Sequence, residues 1–311
     1  MMYFFKRVVN GDLVDAVESN NIEWLKELIQ HEIERGQNIQ TYVNKHNSMG
    51  ITPLHKATLQ SNFACAVILL NHGANPNQLD TPQSALKSGP LHSAGSRHDT
   101  PLIELLIAYG ANPLLKDWEK NSARSVSLYD ELMKSCKKRY QKCLALQALG
   151  DEKLRQGDYM KATETYLEAS RIKFQQSQHA LEETGTLAGK RKQEQTCTNY
   201  QLLAAEYLKQ ASIYYDQVVA CYNEMSKSAK FAHLTKNDAP LTTQLIEIRE
   251  QFDHMQRTLH PENSSIAVIK ETLISPSQSS LRRRTPEELP LLSTFEGEES
   301  DSALNSRNSG P

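Results

Sequence analysis

Two stretches of the chain repeat one arrangement of apolar and polar positions. Residues 50–77 read GITPLHKATLQSNFACAVILLNHGANPN, and residues 89–113 read GPLHSAGSRHDTPLIELLIAYGANP. Each holds a short run containing Leu-His, a polar break, a longer apolar run, and then Gly-Ala-Asn. Leu54-His55 precedes Gly73 by the same interval as Leu91-His92 precedes Gly110. The apolar steps predict two short helices per copy, with Phe63, Val67, Leu69 and Leu70 on the buried stripe of the second. An upstream copy, GDLVDAVESNNIEWLKELIQ at 11–30, aligns Leu13 with Leu54, Ala16 with Ala57, Leu28 with Leu69 and Ile29 with Leu70. A downstream copy begins at Ser122-Ala123-Arg124-Ser125, twelve residues past Gly110.

No copy folds alone. Ordering a residue costs about 1.5 kcal/mol, whereas burying an aliphatic side chain returns about 1.5–3 kcal/mol. Each unit therefore needs stacked neighbours. The punctuation has its own mechanics. Thr52 is placed to cap the first helix, and Pro53 sits in its first turn, where a missing N–H costs nothing. Leu54 and Ala57 face the next copy. Gly73 and Gly110 suit left-handed C-terminal caps, and Pro76 and Pro113 block continuation.

These residues, T-P-L-H-x-A and G-A-N at a fixed period, resemble ankyrin repeats. The likeness covers roughly residues 10–135, with two good repeats and two degenerate ends. It departs from the family by about four extra residues within Gln78–Ser88 and a longer insertion near Glu32–Thr41. It implies that His55 and His92 hydrogen-bond backbone and tie adjacent loops. It also implies a concave binding surface made of hairpin tips and first-helix residues. In this register the variable positions are Ser48, Met49, Ile51, Leu59 and Gln60, then Leu86, Ser88, Ser96 and Arg97, then Trp118, Glu119 and Tyr129. Trp118 stands out, because a large aromatic at a predicted tip buries little of the fold and aromatics dominate binding hot spots. The competing reading makes it a cap over the open end of the stack.

From Cys143 the pattern changes to long helices. Tyr129–Gln156 reads as nearly continuous helix, able to pack on the last repeat. Leu149-Gly150, Gly157–Tyr159, Ala162, Tyr166 and Ala169 are similar to one tetratricopeptide unit, in which Tyr knobs enter holes left by Gly and Ala. Tyr200, Ala204, Tyr207, Ala211, Tyr214, Val218, Cys221 and Met225 recur at four- and three-residue steps and predict a core seam. A further helix is predicted over Pro240–Leu259, with Ile246, Phe252, Met255 and Leu259 on its buried face. The 175–198 stretch, with Gly185 and Gly189, reads as a long connector. The run from Lys134 to Arg139 reads as a solvated face. The arrangement also looks somewhat like the three-helix microtubule-interacting-and-transport module, which implies a groove for a partner helix.

The resulting fold class is all-α: an ankyrin-repeat solenoid of about four repeats over 1–135, an α-helical bundle over 136–262 and a disordered tail over 263–311. Three tail motifs invite function. Arg282–Arg284 precedes Thr285-Pro286, a kinase-site pattern. Glu287 with Leu291 and Leu292 has acidic-dileucine spacing, which underlies a trafficking-adaptor alternative. Glu296–Asp301 resembles the C-terminal export signal of type IV secretion effectors, which often carry ankyrin repeats.

Composition narrows the chemistry. The 311 residues hold 35 Lys+Arg against 37 Asp+Glu, so no global field favours nucleic acid. No apolar run reaches membrane-spanning length, and the first residues, MMYFFKRVV, lack the apolar core of a secretory signal. Five scattered cysteines suit reduced thiols and a cytoplasmic setting. No nucleophile elbow, P-loop or dinucleotide motif occurs, and no zinc spacing. A cysteine enzyme using Cys143 or Cys197 with His179 is the remaining catalytic alternative. The expectation is a non-catalytic, monomeric protein–protein interaction scaffold without cofactor or metal.

Overall fold

The computed structural model describes residues 12–123, 130–187, 194–227 and 239–259, with the side chains of 226–245 and of 256 left aside. Tyr129 and every tail motif, including Glu287, Leu291, Leu292 and Glu296–Asp301, lie outside the described residues. No helix among those described is long and apolar enough to cross a membrane.

The described residues form helices α1 (Leu13–Glu18), α2 (Ile22–Glu34), α3 (Ile39–Val43), α4 (Pro53–Leu59), α5 (Phe63–Asn71), α6 (Pro90–Ser96), α7 (Thr100–Ala108), α8 (Asp130–Arg155), α9 (Tyr159–Leu187), α10 (Glu194–Lys227) and α11 (Ala239–Thr258). Three helix pairs, α1/α2, α4/α5 and α6/α7, stack in chain order. Local chemistry sets their starts. The side chains of Asp12, Asn21, Thr52, Asn62 and Asp99 each accept from a backbone N–H in the following first turn. Gly73 and Gly110 end α5 and α7 at φ 89° and 92°, the left-handed region the sequence pattern requires. The insertion after α2 folds as α3, whose Val43 is fully buried.

An asparagine ladder joins the pairs. Asn44 donates to the Gly73 carbonyl at 3.0 Å and accepts from Asn75 N at 2.7 Å. Asn77 repeats this on Gly110 at 2.9 Å and Asn112 N at 2.7 Å. The last rung belongs to α8, whose Lys137 Nζ donates to Asn112 Oδ1 at 2.8 Å. The Lys134–Arg139 run is thus not a uniformly solvated face. Lys134, Ser135 and Lys138 are exposed, but Cys136 is buried and Lys137 is tied to the stack.

α5 and α7 are buried all round rather than along one stripe. Cys65–Leu70 and Pro101–Ile107 are all buried. Such helices need apolar neighbours on two sides. α4 and α6 supply one side; α8 packs on α7, and α10 packs on both α5 and α7. Lys209 Nζ donates to Asn71 Oδ1 at 2.7 Å, and Tyr109 Oη sits between Asn71 Oδ1 at 2.8 Å and Glu206 Oε1 at 2.5 Å. α2, by contrast, buries only Leu25, Leu28 and Ile29.

α8 and α9 meet where Gly150 leaves a hole for Tyr166: a Cβ on Gly150 would lie 2.5 Å from Tyr166 Cε1. That is the knob-and-hole packing read from the sequence. The helices, of 26 and 29 residues, together outrun a tetratricopeptide unit of about 34 residues. α9 continues through residues 175–187, so most of the supposed connector is helix. Ser177 and Ala180 are buried there, and Ser177 Oγ donates to the Ala204 carbonyl at 2.7 Å. Ser170 Oγ donates to Ala211 O at 3.0 Å. The paired numbers fall on one strand of contacts as they rise on the other, so α9 and α10 run antiparallel. The α10 seam is buried as patterned, except that Tyr214 is half-buried and donates to Gln147. α11 seats Phe252 edge-on to Phe174 and Tyr215 at 5.1 and 5.6 Å. Phe252, Met255 and Leu259 are buried as expected, whereas Ile246 is 60 % exposed and belongs to the opposite face.

Candidate functional site

Three loops project ahead of α4, ahead of α6 and after α7, with Met49, Leu86 and Trp118 exposed at their tips; Leu114, earlier in the third loop, is 37 % exposed. In the first, Asn47 Oδ1 accepts from both Met49 N and Ile51 N at 3.0 Å. Gly50 takes φ 75°, and a Cβ there would overlap the Thr81 side chain. This turn pushes Met49 outward. In the second, Asp80 N donates to the Ser88 carbonyl at 3.0 Å and Ser84 Oγ donates to the Asp80 carboxylate at 3.3 Å, leaving Leu86 at the tip. In the third, Asp117 Oδ1 accepts from Glu119 N at 2.9 Å and Asn121 N at 2.8 Å, with Trp118 at the tip.

Backbone hydrogen bonds join the tips into a row. Thr81 N donates to Gly50 O at 2.9 Å, beside Met49. Trp118 N donates to Lys87 O at 3.1 Å, beside Leu86. Met49, Leu86 and Trp118 are 56, 39 and 50 % exposed. Trp118 is also oriented: its Nε1 donates to the Asp80 carbonyl at 2.7 Å.

The other variable positions divide. Ser48, Gln60, Ser96, Arg97 and Glu119 are exposed. Leu59 and Ser88 are half-buried, and the Ser88 carbonyl is committed to Asp80 N. Ile51 is buried between its turn and α4, so it supports the tip instead of lining it. Gln60 Nε2 reaches back to Glu18 O at 3.2 Å, and Arg97 Nε to Ser61 Oγ at 3.3 Å, each linking one pair to the previous one. Lys45, Lys87, Lys116 and Lys120, in the same loops, are also exposed. Sequence spacing missed them, although all four lie in the loops that carry the tips.

Beneath the tips His55 and His92 behave differently. His92 Nε2 meets the Asn121 carbonyl at 3.2 Å, a tie to the next loop of the kind anticipated, and burial pushes its pKa below the usual histidine value. His55 does not bond backbone through its ring. Its Nδ1 lies 2.8 Å from Asp80 Oδ2 and its Nε2 2.6 Å from Ser93 Oγ. The loop ahead of α6 presents a carboxylate where a carbonyl was expected, and α6 presents a hydroxyl. Ser93, His55 and Asp80 have the connectivity of a nucleophile–base–orienter set. However, the His55 and Asp80 side chains have no exposure and Ser93 is 7 % exposed. A scissile bond has no path to that hydroxyl, and the set acts as an inter-repeat tie.

Residues 13–117 match the family model of ankyrin repeats in three copies. No curated protein matches the chain. Ankyrin repeats indicate a protein–protein interaction domain, and the matched residues include Met49 and Leu86 and end one residue before Trp118.

Other chemistry lies apart from this surface. Where the last ankyrin pair meets the bundle, Glu104, Lys173 and Glu206 are buried at 7, 4 and 1 % exposure. Lys173 Nζ stands 5.5 Å from the centre of the Tyr207 ring. Burial raises the Glu104 pKa and lowers that of Lys173. Glu104 lies on α7, Lys173 on α9 and Glu206 on α10. The cysteine alternative fares poorly in its own terms: Cys143 is buried with its thiol pKa pushed up, the reverse of nucleophile activation. Cys197 is half-buried with Sγ directed at Thr184 O, and His179 is exposed beside Glu182. No group of three or more His, Cys, Asp or Glu able to hold a metal occurs among the described residues. A furrow between α9 and α11 is lined in part by Phe174, Leu181 and Met255.

Proposed function

We propose that the chain is a protein-interaction scaffold that captures its partner on the row of ankyrin hairpin tips. One observation carries this reading: three consecutive tips, joined by backbone hydrogen bonds, each expose a large apolar side chain, Met49, Leu86 and Trp118. An exposed Trp costs solvation without helping the core, and Trp ranks among the strongest contributors to interfaces. The second support is where the bundle packs. α8 packs on α7 and α10 packs on both α5 and α7, the second helices of their pairs, while the tips stay in solvent. The bundle thus acts as a stiffening backing that fixes the stack's geometry, lowering the ordering cost of binding.

The test places a photo-cross-linking residue at Lys87 of the full chain in cell lysate. A protein adduct that disappears in Trp118→Ala and in Leu86→Ser, with both variants melting as cooperatively as the parent, supports the reading. An adduct of equal yield in parent and variants would overturn it.

A further inference from the structure

The furrow beside α11 is open on a side that the chain itself can reach. α9 and α11 run parallel: Phe252 meets Phe174 edge-on at 5.1 Å, and Met255 Sδ lies 3.1 Å from Ser177 Oγ, so the numbers rise together. The outer side of this seam is unfilled. A hollow of about 160 Å³ at Phe174 and Ile248 shares Glu247 and Gln251 with the furrow of about 820 Å³ at Phe174, Leu181 and Met255. Phe174, Leu181 and Ile248 are only half-buried, and an apolar helix face of this kind is covered when one more element packs on it. The furrow extends from Thr258, where α11 ends, back to Glu247, about 17 Å along the helix.

The sequence just past α11 carries an apolar run. Residues 265–274, outside those described, read SIAVIKETLI, with six apolar positions among 266–274. At helical spacing Ile266, Ile269 and Leu273 share one face, Lys270 flanks it and Glu271 falls opposite. Asn263, Ser264 and Ser265 are residue types that cap a helix start, and Pro276 blocks continuation. Nine residues of helix cover about 12 Å, which the furrow accommodates. The five residues 260–264, with Pro261 among them, separate this run from Leu259. Connections of about 2–8 residues join antiparallel neighbouring helices.

We infer that residues 265–274 form a short helix that turns back from α11 and closes the furrow, with Ile266, Ile269 and Leu273 laid on Phe174, Leu181 and Met255. The connection decides the occupant. A run tethered five residues from the furrow's end is present there at an effective concentration that a separate partner does not reach. Charge agrees with it: the furrow carries Glu182, Glu247 and Glu250 against Arg257 and His254, and Lys270 is the charged residue beside the apolar face. The furrow is then a guarded surface, which a foreign helix reaches only by displacing this segment. The disordered tail read from the sequence begins after this helix rather than at 263.

Hydrogen exchange on the full chain, read by mass spectrometry, tests this. The amides of 269–274 should exchange at least about tenfold more slowly than an open chain. That protection should vanish in the double variant Ile269→Ser/Leu273→Ser and in Leu181→Asp. The first changes only the segment and the second only the wall, so a folding defect in the Leu181 variant leaves the double variant as the test. A labelled peptide of residues 262–277, added in trans and followed by fluorescence anisotropy, supplies a second reading. It should bind the double variant at least about tenfold more tightly than the parent, whose furrow is filled. Open-chain exchange throughout 266–274 in the parent overturns the inference. Protection that survives Leu181→Asp overturns it by placing the segment elsewhere. Protection that grows with protein concentration gives the furrow to a second copy, and equal peptide binding to parent and double variant shows the furrow open; either result also overturns it.

Discussion

Trp118 and Asp80 are joined across two repeats: the indole Nε1 donates to the Asp80 carbonyl at 2.7 Å, while the Asp80 carboxylate receives the His55 ring at 2.8 Å. One residue thus holds the exposed tip on its main chain and the buried core on its side chain. Thr52 N, at 3.3 Å, and Ser84 Oγ complete the set around the carboxylate. Asp80→Ala would leave these buried donors without an acceptor, at about 1–3 kcal/mol for the set's most buried members. The expected outcome is an unfolding free energy lowered by that amount, read as a lower urea midpoint with an unchanged slope. Asp80→Asn, which keeps one acceptor oxygen, should recover part of the loss. Because the Trp118 bond uses the backbone carbonyl, the indole fluorescence maximum of the folded Asp80→Asn protein should match the parent.

The two readings of Trp118 make opposite demands on one variant. As a cap, its removal would expose the end of the stack and cost several kcal/mol. The structure gives that end to α8, through Lys137 on Asn112 and Met133 at 0 % exposure. Trp118 is half exposed, and its deletion removes one hydrogen bond and a partial face. Trp118→Ala should therefore lower stability by only about 1 kcal/mol while abolishing capture of a partner. A calorimetric scan paired with the binding assay reads both; a collapse of the melting transition would restore the cap.

Much of the first half was legible because ankyrin spacing is a local signal: Thr52, Pro53, Gly73 and Gly110 each act within a few residues of themselves. Met49, Leu86 and Trp118 were legible for the same reason, as positions in a register. Ile51 was misassigned because its neighbour and itself differ only in which way a turn points them. His55 escaped because its partners, Asp80 and Ser93, are set by stacking rather than spacing. The burial of α5 and α7 on all sides was written in FACAVILL and PLIELLIA, which carry too few polar positions for a surface helix. Glu104, the one charge in the second run, is buried among α8, α9 and α10.

Gly150 and Tyr166 offer a test of the bundle. A methyl at Gly150 would lie 2.5–2.9 Å from three atoms of the Tyr166 ring, and Tyr166 is itself 1 % exposed with its hydroxyl on Asp151. The ring has no free side to retreat to. Gly150→Ala should cost about 1–3 kcal/mol by overpacking, despite the higher helix propensity of alanine. Tyr166→Leu removes the clash and creates a cavity. The double variant should be more stable than the sum of the two single losses, with a coupling of about 1 kcal/mol or more in a denaturant double-mutant cycle. Strict additivity would show that the two helices do not meet there.

Glu104 predicts a pH effect. Burial raises its pKa first of all; Arg139 and His179 oppose the shift, Glu183 adds to it, and a hydrogen bond with Tyr207 opposes it. A carboxyl whose folded pKa exceeds its unfolded one binds its proton more tightly when folded. It therefore stabilises the protonated state, and that advantage is lost as pH rises through the folded value. Glu104→Gln keeps the hydrogen-bonding shape without the charge. The variant should gain stability relative to the parent at pH 7, and the gap should shrink as pH falls towards about 4.3, the ordinary glutamate value. Urea titrations at several pH values check it. A gap that widens on acidification would mean that the Arg139 interaction outweighs burial.

The thiols give the sharpest contrast between a scaffold and a cysteine enzyme. Cys65, Cys136, Cys143 and Cys221 are buried and Cys197 is half-buried. Burial pushes Cys65 and Cys136 up to about 12 and raises Cys143 and Cys221 as well. A thiolate, not a thiol, attacks iodoacetamide, so at pH 7 both access and ionisation protect these four. Mass spectrometry of the native chain should find Cys197 labelled first and the other four only on the timescale of unfolding; in urea all five should react alike. A Cys143 that labels ahead of Cys197 at pH 6 would require a depressed pKa and an open path to its sulfur, and the packing of α8 against α9 would then have to be redrawn around a reactive site.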